Sequence, residues 1–76
     1  MEIAPHITTD SNIHHGVPVM TGTRVPVSMV VGSLAGGMSK EEVCQEYELT
    51  CEQIEAALAF AADLVTKTEA VSLVDR

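Results

Sequence analysis

Two helix-start signatures stand so close together that they dictate the middle of this chain. Ser39-Lys40-Glu41-Glu42 matches a capping box, in which the serine hydroxyl accepts from the Glu42 amide while the Glu42 carboxylate reaches back to the serine N–H. Thr50 with Gln53 three residues later repeats the signature. Only about two helical turns fit between them, so the helix opened by Ser39 stops near Tyr47. The next begins near Cys51 after a turn of about three residues. On the first of these helices Val43, Cys44 and Tyr47 share the inner face, and Glu41, Gln45, Glu46 and Glu48 stay wet.

An earlier helix precedes this pair. Val27, Val30, Val31, Leu34 and Ala35 recur at helical spacing after Pro26, which places them on one face. Pro26 or Ser28 opens that helix, and Gly36-Gly37 closes it because glycine accepts the left-handed conformation beyond a helix end. The internal Gly32 costs about 1 kcal/mol relative to alanine, so close packing against a neighbouring element is expected there. The last helix carries Ile54, Ala57, Leu58, Ala61 and Leu64 or Val65 as its apolar stripe and is expected to run to about Thr66.

Before Pro26 the pattern is different. Ile3, His6 to Thr9, Ile13 and Val17 to Met20 are short β-prone pieces broken by Asp10-Ser11-Asn12, Gly16, Pro18 and Gly22, which reads as strands and loops. Thr21-Gly22-Thr23 is placed to return Thr23 to Val25 against Val17 to Met20. The fold class is therefore mainly α: a tri-helical helix-turn-helix over residues 26–66, a short β-ribbon with loops over 1–25, and a C-terminal tail over 67–76. An ordinary three-helix bundle shares the helix pattern, and the shortness of the turn favours helix-turn-helix.

At 76 residues the chain makes one small domain, since proteins of this size bury only about 60% of their unfolded surface. The longest apolar stretch, Val25 to Ala35, is interrupted and falls short of the roughly 20 residues that a membrane span requires. Only Tyr47 and Phe60 are aromatic, so the core is thin, and dimerisation or a partner is expected to complete it. Eleven acidic residues against four basic ones give a net charge of -7. Such a chain lacks the positive field behind general nucleic-acid affinity, and a basic or neutral partner fits better. The segment that would read DNA, Thr50 to Thr66, holds Glu52, Glu55 and Asp63 and no basic residue. Cys44 reads as half-buried packing and Cys51 as a first-turn residue. Without an export signal at the start of the chain, a cytoplasmic location with both as free thiols is expected.

Gly22-Thr23-Arg24 is the most distinctive cluster. One reading has Arg24 offer its planar fork to a partner's carboxylate or a phosphate, with the Thr23 hydroxyl assisting. The other has Gly22 turning with positive φ, Thr23 bonding locally and Arg24 pairing with one of the chain's own acids. His14 and His15 are adjacent and point apart on an extended segment. No cysteine or second carboxylate stands at a familiar ligand spacing, so neither a metal nor another cofactor is expected. Glu41-Glu42 and Glu52/Glu55 suit helix starts for dipole reasons. No grouping of nucleophile, base and oxyanion donors can be assembled, which argues against an enzyme.

Several motifs in order resemble a known bacterial family, domain of unknown function 433. They are Gly16-Val17-Pro18, Gly22-Thr23-Arg24-Val25-Pro26-Val27, Leu34 to Gly37, Ser39 to Glu42, Tyr47-Glu48-Leu49-Thr50 and Ile54 to Ala61. The likeness covers roughly Ile3 to Val65. Two positions depart from the pattern: Glu48 stands where a proline often follows the tyrosine, and His15 where a glycine often precedes Gly16. The resemblance implies a homeodomain-like helix-turn-helix with an N-terminal β-ribbon and no enzymatic activity. Several members resemble antitoxins of type II toxin–antitoxin pairs, encoded beside a PIN-like nuclease toxin. On that basis the expected function is neutralisation of such a toxin, with a DNA-binding autoregulator acting as a homodimer as the alternative and DNA bound only weakly or within a complex. The expected partner-binding residues are Thr23 and Arg24 in the ribbon and Val71, Leu73, Val74 and Arg76 in the tail.

Overall fold

A computed structural model describes the backbone of residues 1–74 and the side chains of residues 1–68. The chain is mainly α with a small N-terminal sheet. Strands β1 (Glu2–Ala4), β2 (Ile7–Thr8) and β3 (Val19–Met20) form an antiparallel sheet in the order β1-β2-β3. Helices α1 (Val27–Ala35), α2 (Lys40–Tyr47) and α3 (Cys51–Val74) follow. Ile7 pairs with Met20 and Thr8 with Val19. Both Ile7 and Met20 are fully buried, so the sheet exists where its inner face closes one side of the helical core.

The expected return of Thr23 to Val25 along β3 is reduced to a single bridge. Met20 N–H donates to the Val25 carbonyl at 2.9 Å, and Val19 bridges Pro26. Pro26 has no N–H to continue a ladder, and Val27 N–H, which donates to the Pro18 carbonyl at 3.0 Å, already belongs to the first residue of α1.

Each helix boundary in the middle of the chain has a local cause. Pro26, with φ -65, precedes α1 as its cap residue. At the other end Gly37 N–H donates to the Leu34 carbonyl and Met38 N–H to the Ser33 carbonyl, both at 3.1 Å. This paired closure needs a left-handed residue, and Gly37 supplies it with φ +107. Ser39 caps α2 with the full capping box, Ser39 N–H donating to Glu42 at 2.8 Å and Glu42 N–H to the Ser39 hydroxyl at 3.1 Å. Thr50 and Gln53 make the same reciprocal pair ahead of α3, at 2.8 and 3.2 Å.

The core is small and aliphatic. Ile7, Val19, Met20, Val27, Val30, Val43, Leu49, Ile54 and Ala57 are its buried members, and Val31, Leu34, Cys44, Tyr47, Leu58 and Phe60 pack partly against it. Two expectations need correction. Gly32 is exposed, and a Cβ built on it would meet nothing within 4 Å, so it does not mark close packing but leaves space open beside α1. Helix α3 does not end near Thr66 but continues to Val74, through much of the segment read as a tail. No glycine or proline follows Thr66 to break it, and the Lys67 ammonium reaches back to Asp63 at 3.0 Å across one turn.

Candidate functional site

The turn after β3 is built by its own side chains. Thr23 N–H donates to the Met20 carbonyl at 3.0 Å, closing a four-residue turn with Gly22 at φ +81. A turn with positive φ at its third residue favours glycine there. The Thr23 hydroxyl donates to the same Met20 carbonyl at 2.7 Å and accepts from Val25 N–H at 3.0 Å. Thr23 is thus committed to the turn. His14 Nε2 donates to the Arg24 carbonyl at 3.0 Å, which requires the proton on that nitrogen. His14 itself belongs to a left-handed corner in which His14, His15 and Gly16 have φ of 49, 59 and 90.

Arg24 therefore lies between the bonded Thr23 turn and a carbonyl held by His14, and its side chain is exposed. Its carboxylate partner does not materialise within the described residues. Lys40 pairs with Glu55 and Lys67 with Asp63, whereas Arg24 makes no ion pair among the described residues. The Glu55 carboxylate, by hydrogen bond and then by charge, raises the Lys40 pKa above its ordinary value. Of the two readings of the cluster, Gly22 and Thr23 follow the local one, and Arg24 stands apart from it.

A second feature lies along the helices. A groove of about 490 Å³ runs between α1 and α3, with Val17 and Pro18 at one side. Val31, Gly32, Phe60 and Leu64 are among its walls, and among the described residues no charged side chain lines it. Leu64 and Val65 are 49% and 56% exposed. Part of the stripe expected to be core on α3 thus faces this groove, because α1, with only nine residues, is too short to cover it. Sequence reasoning missed the groove. Its one signal was Gly32, whose missing side chain leaves the α1 wall open.

The remaining candidates fall as follows. Val71, Leu73, Val74 and Arg76 lie outside the residues whose side chains are described. Cys44 is half-buried, and burial followed by its neighbour Cys51 pushes its thiol pKa up; Cys51 is exposed. His6 Nε2 lies 3.6 Å from the Glu52 carboxylate at the start of α3. Among the described residues no group of three or more His, Cys, Asp or Glu side chains is placed to hold a metal ion. No helix among them is long and apolar enough to cross a membrane.

The elements define a class first: small, mainly α domains closed at one side by a short antiparallel sheet that carries a tightly bonded Gly-Thr-Arg turn. Within that class the chain belongs to the protein family of unknown function DUF433, whose model matches residues 7–61. The matched span runs from β2 into α3 and stops short of Leu64 and the projecting part of that helix. No curated protein and no solved structure matches the chain.

Proposed function

We propose that this chain is a cytoplasmic, non-enzymatic antitoxin of a type II toxin–antitoxin pair, a helix-turn-helix domain that neutralises a PIN-like nuclease toxin by binding it. The observation that carries the reading is Arg24. In a protein of net charge -7, it is an exposed guanidinium that leaves the chain between the bonded Thr23 turn and a carbonyl held by His14, with no ion-pair partner among the described residues. A planar guanidinium fork suits the carboxylates of an acidic nuclease pocket better than a lysine does. Inhibition is then steric and electrostatic: the ribbon covers the pocket and Arg24 enters it. Docking of Val71, Leu73, Val74 and Arg76 against the toxin belongs to the same reading.

The alternative, a DNA-binding autoregulator acting as a dimer, draws on the turn between α2 and α3. Three residues, Glu48 to Thr50, join these helices, and Glu48 takes the left-handed conformation with φ 55, as the turn of such motifs commonly requires. Against it, the first turns of α3 expose Glu52 and Glu55, which phosphates repel.

Co-expression with the product of the adjacent gene tests the first reading. The chain relieves that product's toxicity and co-purifies with it. Arg24→Ala keeps the circular dichroism spectrum but binds about 10- to 100-fold more weakly, the loss of one charge-assisted contact. Failure of the unaltered chain to co-purify or to relieve toxicity refutes the reading. Nanomolar, sequence-selective gel shifts by the chain alone promote the alternative.

A further inference from the structure

Helix α3 is too long for the body that it packs on. Its 24 residues span about 36 Å, whereas α1, which packs against it, has nine residues and spans about 13 Å. The molecule measures 43 × 30 × 18 Å with a radius of gyration of 13.3 Å, against about 11.4 Å for a compact domain of this length. Its accessible surface of 5172 Å² exceeds the roughly 4,500 Å² expected of a compact monomer of its 8.1 kDa mass.

We infer that the α1/α3 groove is the seat of a second copy of this chain, which lays the projecting part of its own α3 there while receiving the first copy's α3 in return. The geometry favours this occupant because groove and projecting helix sit side by side on one molecule. A two-fold axis near Leu64 and Val65 runs the two α3 helices antiparallel and fills both grooves at once, the reciprocity that a symmetric dimer requires. Ser28 and Gly32, one turn apart on α1, leave that wall low, so a helix can approach closely. Charge permits the pairing too. Two copies of net charge -7 repel, but among the described residues no charged side chain lines the groove, so the groove wall itself adds no carboxylate to the contact. Asp63 is already paired with Lys67. The inference uses a surface different from the Arg24 turn and does not depend on the antitoxin reading.

Sedimentation equilibrium on the full chain at tens of micromolar tests it, with circular dichroism as the check on folding. The unaltered chain sediments at twice its 8.1 kDa mass. Leu64→Asp, from the α3 wall, and Gly32→Leu, which fills the groove from the α1 wall, each weaken the dimer at least tenfold and keep their helical content. Met29→Asp remains dimeric, since Met29 is 49% exposed but does not line the groove. A monomeric unaltered chain overturns the inference. So does a dimer indifferent to both groove variants, or one that Met29→Asp disrupts as much as they do. If the chain is monomeric and Leu64→Asp instead abolishes co-purification with the adjacent gene product, the groove belongs to that partner and not to a second copy.

Discussion

The hydroxyls of Ser33 and Tyr47 lie 2.8 Å apart and fasten α1 to the last residue of α2. Both side chains are half-buried, so each hydroxyl is drawn partly from water and satisfied by the other. Removing either leaves its partner short of a bond. Tyr47→Phe and Ser33→Ala are each expected to lower stability by about 0.5 to 1.5 kcal/mol, read from urea midpoints. Their combination costs less than the sum of the two, because the second substitution removes a group already left alone. Simple additivity in the double variant refutes the contact.

The two capping boxes carry the α2–turn–α3 unit. Ser39→Ala and Thr50→Ala each remove the hydroxyl that accepts from the N–H three residues on, and each is expected to cost about 0.5 to 2 kcal/mol. Ser39→Asp and Thr50→Asp, which keep an acceptor at the cap, recover most of the loss. Denaturant midpoints that do not move in the alanine variants exclude these helix starts.

These boundaries were legible in the sequence because a cap is written within four residues. The closure at Gly37 is equally local, and so is the Gly22 turn. Contacts set by tertiary placement were not legible. Ser33 and Tyr47 are separated by 14 positions and Lys40 and Glu55 by 15. With eleven acids in the chain, no spacing shows that Lys40 gains one of them while Arg24 gains none among the described residues. The end of α3 was missed because an apolar stripe loses its period before the helix does. With no glycine or proline after Thr66 the backbone continues, and exposure of Leu64 depends on the length of a different helix. Gly32 was misread for a similar reason. A glycine inside a helix signals that a side chain is absent there, and only the fold decides whether a neighbour or open space takes its place.

His15 and Glu48 both hold left-handed backbone, with φ of 59 and 55, a conformation that costs a residue with a Cβ roughly 1 to 2 kcal/mol. Glycine removes that cost but loses more freedom on folding. His15→Gly and Glu48→Gly are therefore expected to raise stability by up to about 1 kcal/mol. Glu48→Pro acts in the opposite direction: proline cannot reach φ 55 and lacks the N–H that donates to the Cys44 carbonyl, so the loss exceeds about 1 kcal/mol. Thermal unfolding of the three variants checks the order. A stabilising Glu48→Pro means that the turn has another backbone path.

The Thr23 hydroxyl distinguishes the fold of the ribbon from what the ribbon presents. It bonds Met20 and Val25, the residues on either side of the turn, and only through that turn does it set the direction in which Arg24 leaves the backbone. Thr23→Val preserves shape but leaves Val25 N–H without its acceptor, at an expected cost of about 1 to 3 kcal/mol for the unsatisfied, partly buried group. Thr23→Ser keeps both bonds and recovers most of the stability. For association with a partner the two positions diverge. Arg24→Ala weakens binding without moving the thermal midpoint, because its side chain touches no acid among the described residues. Thr23→Val lowers the midpoint and weakens binding together, and its binding defect shrinks as the temperature is lowered and the turn re-forms. If Thr23→Val abolishes binding at full stability, the hydroxyl meets the partner directly and the turn is not its only duty. If Arg24→Ala lowers the midpoint as far as Thr23→Val does, Arg24 is part of the fold, and the surface offered to a partner must be sought elsewhere on the chain.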